Sequence, residues 1–300
     1  MEIKQKTIKK EVVFEGIGVH SGLNSRVVLK PSVENSGIVV KNIKFPDFLI
    51  EIGRVVPDNS NYSTTLSAEN WKISTVEHLF AAINGLKIDN IIIEVEDFEI
   101  PIMDGSSYPF VKELLRAGIL EQNAKKFFVT PKEKLCFEDL DNSRELIFYP
   151  AQKFSCNHDC MRKSSREFDI NLYVNYLAEF DNPVIGSGEV NCSVSTDLFI
   201  KEIAPARTFG FLEQLPFMQK NGLAKGASLD NTVVIGENGY INERRFEDEF
   251  VRHKLLDLLG DLSLIGKQIA GKISAKRTGH SFNRKVVEHY IKNPDSWMLI

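Results

Sequence analysis

The segment that best indicates how this chain folds reads Phe250-Val251-Arg252-His253-Lys254-Leu255-Leu256-Asp257-Leu258-Leu259-Gly260-Asp261-Leu262. Its apolar residues recur at helical spacing and predict a long helix over about residues 246–265 with one buried face. Side chains four positions apart share a helix face, so His253, Asp257 and Asp261 form a polar line beside the apolar stripe. Because an unpaired buried charge is costly, we expect these groups to be paired, protonated or bound to a metal.

The pair formed by His253 and Asp257 allows two interpretations. The first is a buried hydrogen bond that orients the helix. The second is a zinc site, in which these residues are two of the three protein ligands that a catalytic zinc usually has. His78 is the natural third ligand, although a histidine on its own is more often a core or interface residue.

Glu77 precedes His78 and is a candidate general base for an attacking water, because it neighbours a ligand but points in a different direction from the helix. The same segment, Ser74-Thr75-Val76-Glu77, also fits a capping box, in which the Glu77 carboxylate closes on the backbone of Ser74. The sequence leaves both roles open.

His280 follows Gly279 at the start of a last predicted helix, over about residues 282–291. It is a candidate acid or oxyanion stabiliser, with Asp261 as its carboxylate partner. The macrodipole disfavours a protonated imidazole at a helix N-terminus, so a carboxylate neighbour would matter. The alternative is a histidine that simply occupies the helix start.

Length and composition describe an ordinary globular chain. Its 300 residues are 43% apolar and 26% charged, enough for one large or two modest domains, and a net charge of −4 gives no broad case for nucleic-acid binding. The four cysteines make no disulfide framework, the lysine-rich start lacks the apolar stretch of a secretory signal, and no apolar run approaches the ~18 residues of a transmembrane helix. We therefore expect a cytoplasmic monomer.

The order of predicted elements suggests an internal duplication. Strands with short turns fill the first third and precede predicted helices at residues 74–86 and 110–117, with a strand at 91–95 between them. The apolar pattern lapses over residues 122–126, so we place a boundary there, giving domains 1–124 and 125–300. The second half has strands at 143–149, 168–176 and 272–275 and a helix at 196–203. Val76-Glu77-His78-Leu79 also resembles Val251-Arg252-His253-Lys254.

Two further segments have competing interpretations. An irregular section at residues 209–231 carries a dense apolar group, which is core by default but is also typical of a passage for a lipid chain; its members are Phe209, Phe211, Leu212, Leu215, Phe217 and Met218. Cys156-Asn157-His158-Asp159-Cys160 lacks the C-x2-C spacing of zinc ribbons and is interpreted as a surface loop.

Six motifs together resemble one family in order and spacing, across almost the whole chain. The family is the UDP-3-O-acyl-N-acetylglucosamine deacetylases of lipid A biosynthesis. The motifs are Gly18-Val19-His20-Ser21-Gly22, Ser74-Thr75-Val76-Glu77-His78, Met103-Asp104-Gly105-Ser106-Ser107, Ala206-Arg207-Thr208-Phe209-Gly210-Phe211, residues 245–254 and Thr278-Gly279-His280.

The resemblance implies an α+β fold of two similar domains, each a helix layer on a mainly antiparallel sheet, with the active site at their interface. It implies His78, His253 and Asp257 as ligands of Zn²⁺, with Fe²⁺ also possible. It implies a catalytic set of Glu77 as base, His280 with Asp261 as the acid for the departing amine, and Thr208 for the oxyanion. The implied substrate contacts are Lys254, Phe209, Phe211, Leu215 and His20.

The implied reaction removes the N-acetyl group of an acylated UDP-sugar, the committed step of lipid A biosynthesis. The apolar insert, near residues 209–236, falls where the family binds the acyl chain. Tyr149 stands near a position where the family often has a substrate-contacting lysine, and residues 156–166 resemble an added loop. Two rivals are a zinc amidase for an unacylated sugar or peptide, and a non-catalytic binding protein in which the His/Asp cluster is structural.

Overall fold

Two five-stranded sheets with the same strand order organise the chain. The computed structural model describes residues 2–153 and 168–300, so the predicted loop at 156–166 lies outside the described residues. The strands are β1 (Lys4–Ile8), β2 (Val12–Ile17), β3 (Asn24–Pro31), β4 (Ile38–Asn42), β5 (Leu49–Glu51), β6 (Leu66–Ser67), β7 (Lys72–Ile73), β8 (Ile91–Val95), β9 (Ile119–Lys125), β10 (Phe128–Pro131), β11 (Leu135–Asp139), β12 (Arg144–Tyr149), β13 (Leu172–Glu179), β14 (Ser187–Ser193), β15 (Phe209–Phe211), β16 (Val233–Ile235), β17 (Gln268–Ile269), β18 (Gly271–Lys276) and β19 (Trp297–Leu299).

Six α-helices accompany the strands in the described part of the chain. They are α1 (Glu77–Gly85), α2 (Tyr108–Ala117), α3 (Thr196–Leu198), α4 (Leu215–Lys220), α5 (Glu249–Ser263) and α6 (His280–Lys292). A π-helical turn, Phe199–Ile203, continues α3. Among these residues, no helix is both long enough and apolar enough to cross a membrane.

The two large sheets repeat one plan. The first has the order β2-β3-β8-β4-β5 and the second the order β11-β12-β18-β13-β14. All neighbouring strands are antiparallel except β4 with β8 and β13 with β18. In each repeat one long helix precedes the central strand and another follows it, so α1 and α2 correspond to α5 and α6. The predicted α+β class is confirmed, and the repeated plan agrees with the proposed duplication; the division near residue 124 stays a prediction.

The predicted elements differ from the observed ones mainly at their ends and edges. The helix expected at 74–86 begins only at Glu77, and the strand expected at 168–176 is shifted to Leu172–Glu179. The polar stretch at 122–126 mostly belongs to β9, which pairs with β1 although neither has a continuous apolar face. The section at 209–231 is only partly irregular: it contains β15 and α4, which form a β-α-β unit with the following parallel strand β16, whereas residues 221–231 have no helix or strand.

Helices α1 and α5 pack against each other through Gly260. A Cβ atom at this position would overlap the carbonyl oxygen of Glu77 and lie 3.1 Å from its Cα atom. The amide of Asn84, near the other end of α1, donates to the carbonyl of Leu259 at 3.0 Å. Glycine at 260 therefore lets the two backbones approach more closely than any side chain would permit.

Replacing Gly260 by alanine tests this contact. Alanine usually stabilises a helix interior by about 1 kcal/mol relative to glycine. Here we expect the free energy of unfolding to fall by about 1–3 kcal/mol, because the added methyl group forces the helices apart. Urea unfolding measures the difference. Gly279→Ala is the control, since nothing lies within 4 Å of a Cβ there; a Gly260→Ala protein as stable as the wild type would contradict the close contact.

Candidate metal centre and substrate cleft

A buried and conformationally unusual residue precedes the first candidate ligand. Thr75 has a φ of 58°, and its hydroxyl donates to Glu99 at 3.0 Å.

The capping-box alternative for Glu77 is wrong: the Ser74 hydroxyl donates to the carbonyl of Phe98, and no side chain among the described residues caps α1. The Glu77 carboxylate instead accepts the backbone N–H of Thr64 at 3.0 Å.

The structure brings His78, His253 and Asp257 together between α1 and α5. Their ligand atoms all lie within 4.8 Å of one another, and all three residues are buried. Nε2 of His253 lies 3.3 Å from Oδ1 of Asp257, and Nε2 of His78 lies 3.7 Å from the same oxygen. Two imidazoles and one carboxylate at this spacing are a donor set that suits a divalent transition metal.

The ring nitrogens of the two histidines fit metal binding. Nδ1 of His253 lies 3.0 Å from the carbonyl of Ala206, so this nitrogen donates and Nε2 keeps its lone pair facing Asp257. Burial lowers the pKa of His253 to about 4, so the ring is neutral, as a ligand must be. Nδ1 of His78 is buried without a hydrogen-bond partner in the described structure. The imidazole of His78 is therefore left partly unsatisfied by the protein alone.

Lys254 supports the ionised form of Asp257. Burial alone would raise the pKa of Asp257, but the neighbouring His253, Lys254 and His280 reverse the effect and hold it well below its ordinary value. The Nζ atom of Lys254 lies only 2.7 Å from Oδ2 of Asp257, and we regard this ion pair as the decisive contact because His253 is neutral. Lys254 also lines the cleft expected for substrate.

Glu77 and His280 face each other beside the three candidate ligands. Their nearest atoms, Oε1 of Glu77 and Nε2 of His280, are 3.8 Å apart, and His280 Nε2 is also 3.8 Å from Asp257. Burial raises the pKa of Glu77. Burial opposes a charge on His280, but the carboxylates of Asp261, Glu77 and Asp257 outweigh it and raise its pKa to about 9.

Asp261 stands behind His280 rather than in the cleft. Its Oδ2 atom lies 2.9 Å from Nδ1 of His280 and accepts the side-chain amide of Asn283 at 2.8 Å. The hydroxyl of Thr64 donates to Oδ1 of Asp261. Thr64 thus contacts three predicted site residues at once, since its backbone N–H binds Glu77 and its hydroxyl binds Asp261 and lies 3.2 Å from Nδ1 of His280. The sequence offered no periodic or motif signal for Thr64 or Asn283.

Every site residue predicted from the sequence except Asp261 lines one cavity of about 500 Å³. The predicted residues in its wall are His20, Glu77, His78, Thr208, Phe209, Phe211, Leu215, His253, Lys254, Asp257 and His280. Away from the histidines the wall is mainly apolar, with contributions from Met218, Val234 and Ile241. A substrate with an apolar chain fits this combination of walls.

A second, more polar cleft of about 620 Å³ adjoins the first and shares Lys254 and His280 with it. Arg144 and Arg277 line this cleft. Tyr149, which the sequence left as a possible substitute for a family lysine, lines neither space and lies between Lys134 and Lys272. The cation that strand β12 supplies to the cleft is therefore Arg144, at the other end of the strand.

Two buried carboxylates that sequence analysis missed hold the surrounding loops. Glu99 accepts the backbone N–H groups of His20 and Ser21 at 2.8 and 2.9 Å, and it also binds Thr75. Glu249 pairs with Arg207 at 2.9 Å, which fixes the segment before Thr208 to the start of α5. Each of these contacts joins residues far apart in the sequence, so local patterns did not reveal them.

Comparisons with known proteins agree with this site. The family model described as UDP-3-O-acyl N-acetylglycosamine deacetylase matches residues 5–292. The UDP-3-O-acyl-N-acetylglucosamine deacetylase of Teredinibacter turnerae is 38% identical over 303 residues, which cover 99% of this chain and 93% of the relative. The deacetylases of the same name from Pasteurella multocida and Haemophilus influenzae are 38% identical over 304 and 308 residues, with the same coverage. This chain belongs to the UDP-3-O-acyl-N-acetylglucosamine deacetylase family.

Proposed function

We propose that this protein hydrolyses the N-acetyl amide of UDP-3-O-acyl-N-acetylglucosamine, releasing acetate and UDP-3-O-acyl-glucosamine for lipid A biosynthesis. The family is one of metal-dependent amide hydrolases. The observation that carries the proposal is the position of Glu77 and His280 beside three buried metal-ligand side chains in the wall of an apolar cavity. A binding protein would need the cavity but not the acid and the base.

The metal that we propose is Zn²⁺, held by His78, His253 and Asp257. The same donors accept Fe²⁺, so the protein's chemistry allows either ion. When bound, such an ion lowers the pKa of a water molecule and polarises the acetamide carbonyl.

The side chains have separate tasks in the proposed reaction. Oε2 of Glu77 is fixed by the N–H of Thr64, which leaves Oε1 to take the proton of the attacking water. The raised pKa of Glu77 makes it a stronger proton acceptor than an exposed glutamate. The Thr208 hydroxyl donates to the developing oxyanion. His280 is protonated at neutral pH and gives its proton to the departing amine nitrogen, while Asp261 holds the imidazole ring in place.

The two adjoining spaces suit the two ends of the proposed substrate. The apolar cavity near Phe211 and Leu215 would take the 3-O-acyl chain. We place the UDP group in the polar cleft, where Arg144 and Arg277 supply positive charge for its phosphates. The acids Asp141, Glu179 and Asp181 also line this cleft, and Asp181 lies 3.4 Å from Arg277, so the phosphates would have to compete with Asp181 for that guanidinium group. The described cysteines, Cys136 and Cys192, are free thiols, which fits the cytoplasm that we propose as its compartment. The monomeric state stays a prediction.

Replacing the acid and the base tests the chemistry. We expect Glu77→Gln and His280→Gln each to lower kcat by about 10²–10⁴-fold, the usual contribution of a positioned general acid or base. Metal content is measured in the same preparations, so that loss of metal is separated from loss of proton transfer. Glu113→Gln is the control, because Glu113 is a half-buried carboxylate on α2 that lines neither the cavity nor the polar cleft. Near-wild-type turnover by a variant that retains its metal would remove the role of that residue.

Thr64 offers a finer test, because its hydroxyl and its backbone N–H act on different partners. Thr64→Val removes the hydroxyl that binds Asp261 and contacts Nδ1 of His280, but keeps the backbone N–H that binds Glu77. We expect kcat to fall roughly tenfold with KM and metal content unchanged, since hydrogen bonds to charged groups contribute about 1.5–3 kcal/mol. Thr64→Ser keeps the hydroxyl and should restore most of the rate. Equal rates for the valine and serine variants would show that the hydroxyl does not act through Asp261.

The acyl chain should be recognised by the apolar cavity. We expect kcat/KM for the acylated UDP-sugar to exceed that for UDP-N-acetylglucosamine by several orders of magnitude, because each buried methylene contributes about 0.8 kcal/mol. Leu215→Asp should lower the rate for the acylated substrate alone. Leu115→Asp, on the exposed face of α2, controls for the added charge. Equal rates for the two substrates would instead favour the amidase of an unacylated sugar.

A further inference from the structure

A separate cavity of about 210 Å³ lies where the two sheet repeats meet and shares no residue with the cavity at the metal centre. It is bounded by segments from both halves of the chain, including β1, the turn after α1, β10, β13 and β17. Its wall consists of Ile3, Lys6, Lys87, Lys126, Phe128, Ile170, Asn171, Leu172, Val194, Ser195, Gln268 and Ile269. Asn171 and Ser195 are exposed, so the cavity opens to solvent on their side.

The charge in this wall is unbalanced. Lys6, Lys87 and Lys126 line the cavity, and no carboxylate does. Both carboxylate oxygens of the nearby Asp89 already have partners. Its Oδ1 atom lies 2.8 Å from Nζ of Lys126, and its Oδ2 atom accepts the backbone N–H of Lys6 at 2.8 Å. Three ammonium groups therefore have one carboxylate close to them.

Lys87 is the least compensated of the three lysines. Its Nζ atom donates to the neutral side-chain amide of Gln268 at 3.0 Å, and it forms no ion pair with any residue that the structure describes. Burial, followed by the nearby Lys126, lowers the pKa of Lys87 to about 8. Lys87 is half-buried, and a partly desolvated ammonium group with only a neutral partner is unfavourable, so an anion placed beside it would be stabilising.

The rest of the wall favours an anion with an apolar part. Six of the lining residues are apolar, namely Ile3, Phe128, Ile170, Leu172, Val194 and Ile269. Inorganic phosphate would leave these apolar side chains exposed to water, whereas a hydrocarbon tail would exclude water from them. With about 210 Å³, the cavity is less than half as large as the apolar cavity at the metal centre, so it suits a small carboxylate with a short tail and not a long acyl chain.

We propose that this cavity is a second ligand site, which binds a short-chain organic carboxylate. The carboxylate group lies between Lys87 and Lys126 and accepts hydrogen bonds from their ammonium groups. The tail packs against Phe128, Leu172 and Ile269. Because the wall draws on both repeats, an occupied site holds the two halves of the chain together at a point remote from the metal ligands.

Isothermal titration of the full-length protein with pentanoate tests the proposal, with 1-pentanol as the uncharged probe and inorganic phosphate as the anion without a tail. We expect pentanoate to bind at least tenfold more tightly than either. Lys87→Met should weaken pentanoate binding at least tenfold, whereas Lys125→Met, which removes an exposed lysine outside the cavity, should leave it unchanged. Binding that survives Lys87→Met would overturn the proposal, since the ligand would then occupy another place, such as the acyl cavity.

Gln268→Glu is an independent variant that places a carboxylate of the protein itself beside Lys87. The new carboxylate would stand where the Gln268 oxygen accepts from Lys87, so it should abolish pentanoate binding. The variant also loses the hydrogen bond from the Gln268 amide to the carbonyl of Asn84, so pentanoate affinity, and not the melting temperature, is the readout. Unchanged pentanoate affinity in Gln268→Glu, or equal affinities of the wild type for pentanoate and pentanol, would show that Lys87 does not recognise an anion here.

Discussion

The contact between α1 and α5 at Gly260 places the site, because each helix alone carries an incomplete set of the proposed metal ligands. Helix α5 presents His253 and Asp257 one turn apart, and α1 presents His78. The missing side chain at Gly260 lets the backbone of Glu77 lie directly against α5. The positions of His78, the proposed third ligand, and of Glu77, the proposed base, therefore depend on a close backbone contact at a residue that takes no part in the proposed reaction.

The two carboxylates of the polar line along α5, Asp257 and Asp261, have different partners. Asp257 faces the other ligands and is kept ionised with the help of Lys254. Asp261, one turn later, points to His280 and raises its pKa. Burial would penalise either charge in isolation, so each carboxylate has its own cation. Helix α5 thereby supplies both a proposed metal ligand, Asp257, and the carboxylate partner of the proposed acid, Asp261.

The sequence predicted those parts of the site that depend on local periodicity or on a continuous motif. The spacing of His253, Asp257 and Asp261 placed all three on one face of α5, and the motif around His280 put it at the start of α6. Thr64 and Asn283 were missed because they reach Asp261 from distant parts of the chain. The capping interpretation of Glu77 failed for the same reason, since its partner is Thr64 and not Ser74.

Strand pairing was similarly hard to predict where neither partner has a clear apolar face. Strands β1 and β9 pair through mainly polar residues. The side-chain amide of Asn90, from outside the pair, bridges them by donating to Gln5 of β1 at 2.8 Å and to Gln122 of β9 at 2.7 Å. The repeated sheets were easier, because β8, β13 and β18 bury alternating residues against the helices. The family resemblance supplied the remaining roles, which geometry alone does not assign.

We propose that His78, His253 and Asp257 together hold one ion between the two repeats. Anomalous diffraction at the zinc edge, from crystals of the zinc-loaded protein, locates that ion. We expect a single strong peak at about 2.0–2.2 Å from a nitrogen of each histidine and an oxygen of Asp257. A peak coordinated by the α5 pair without His78, or a zinc-loaded protein whose peak lies elsewhere, would contradict it.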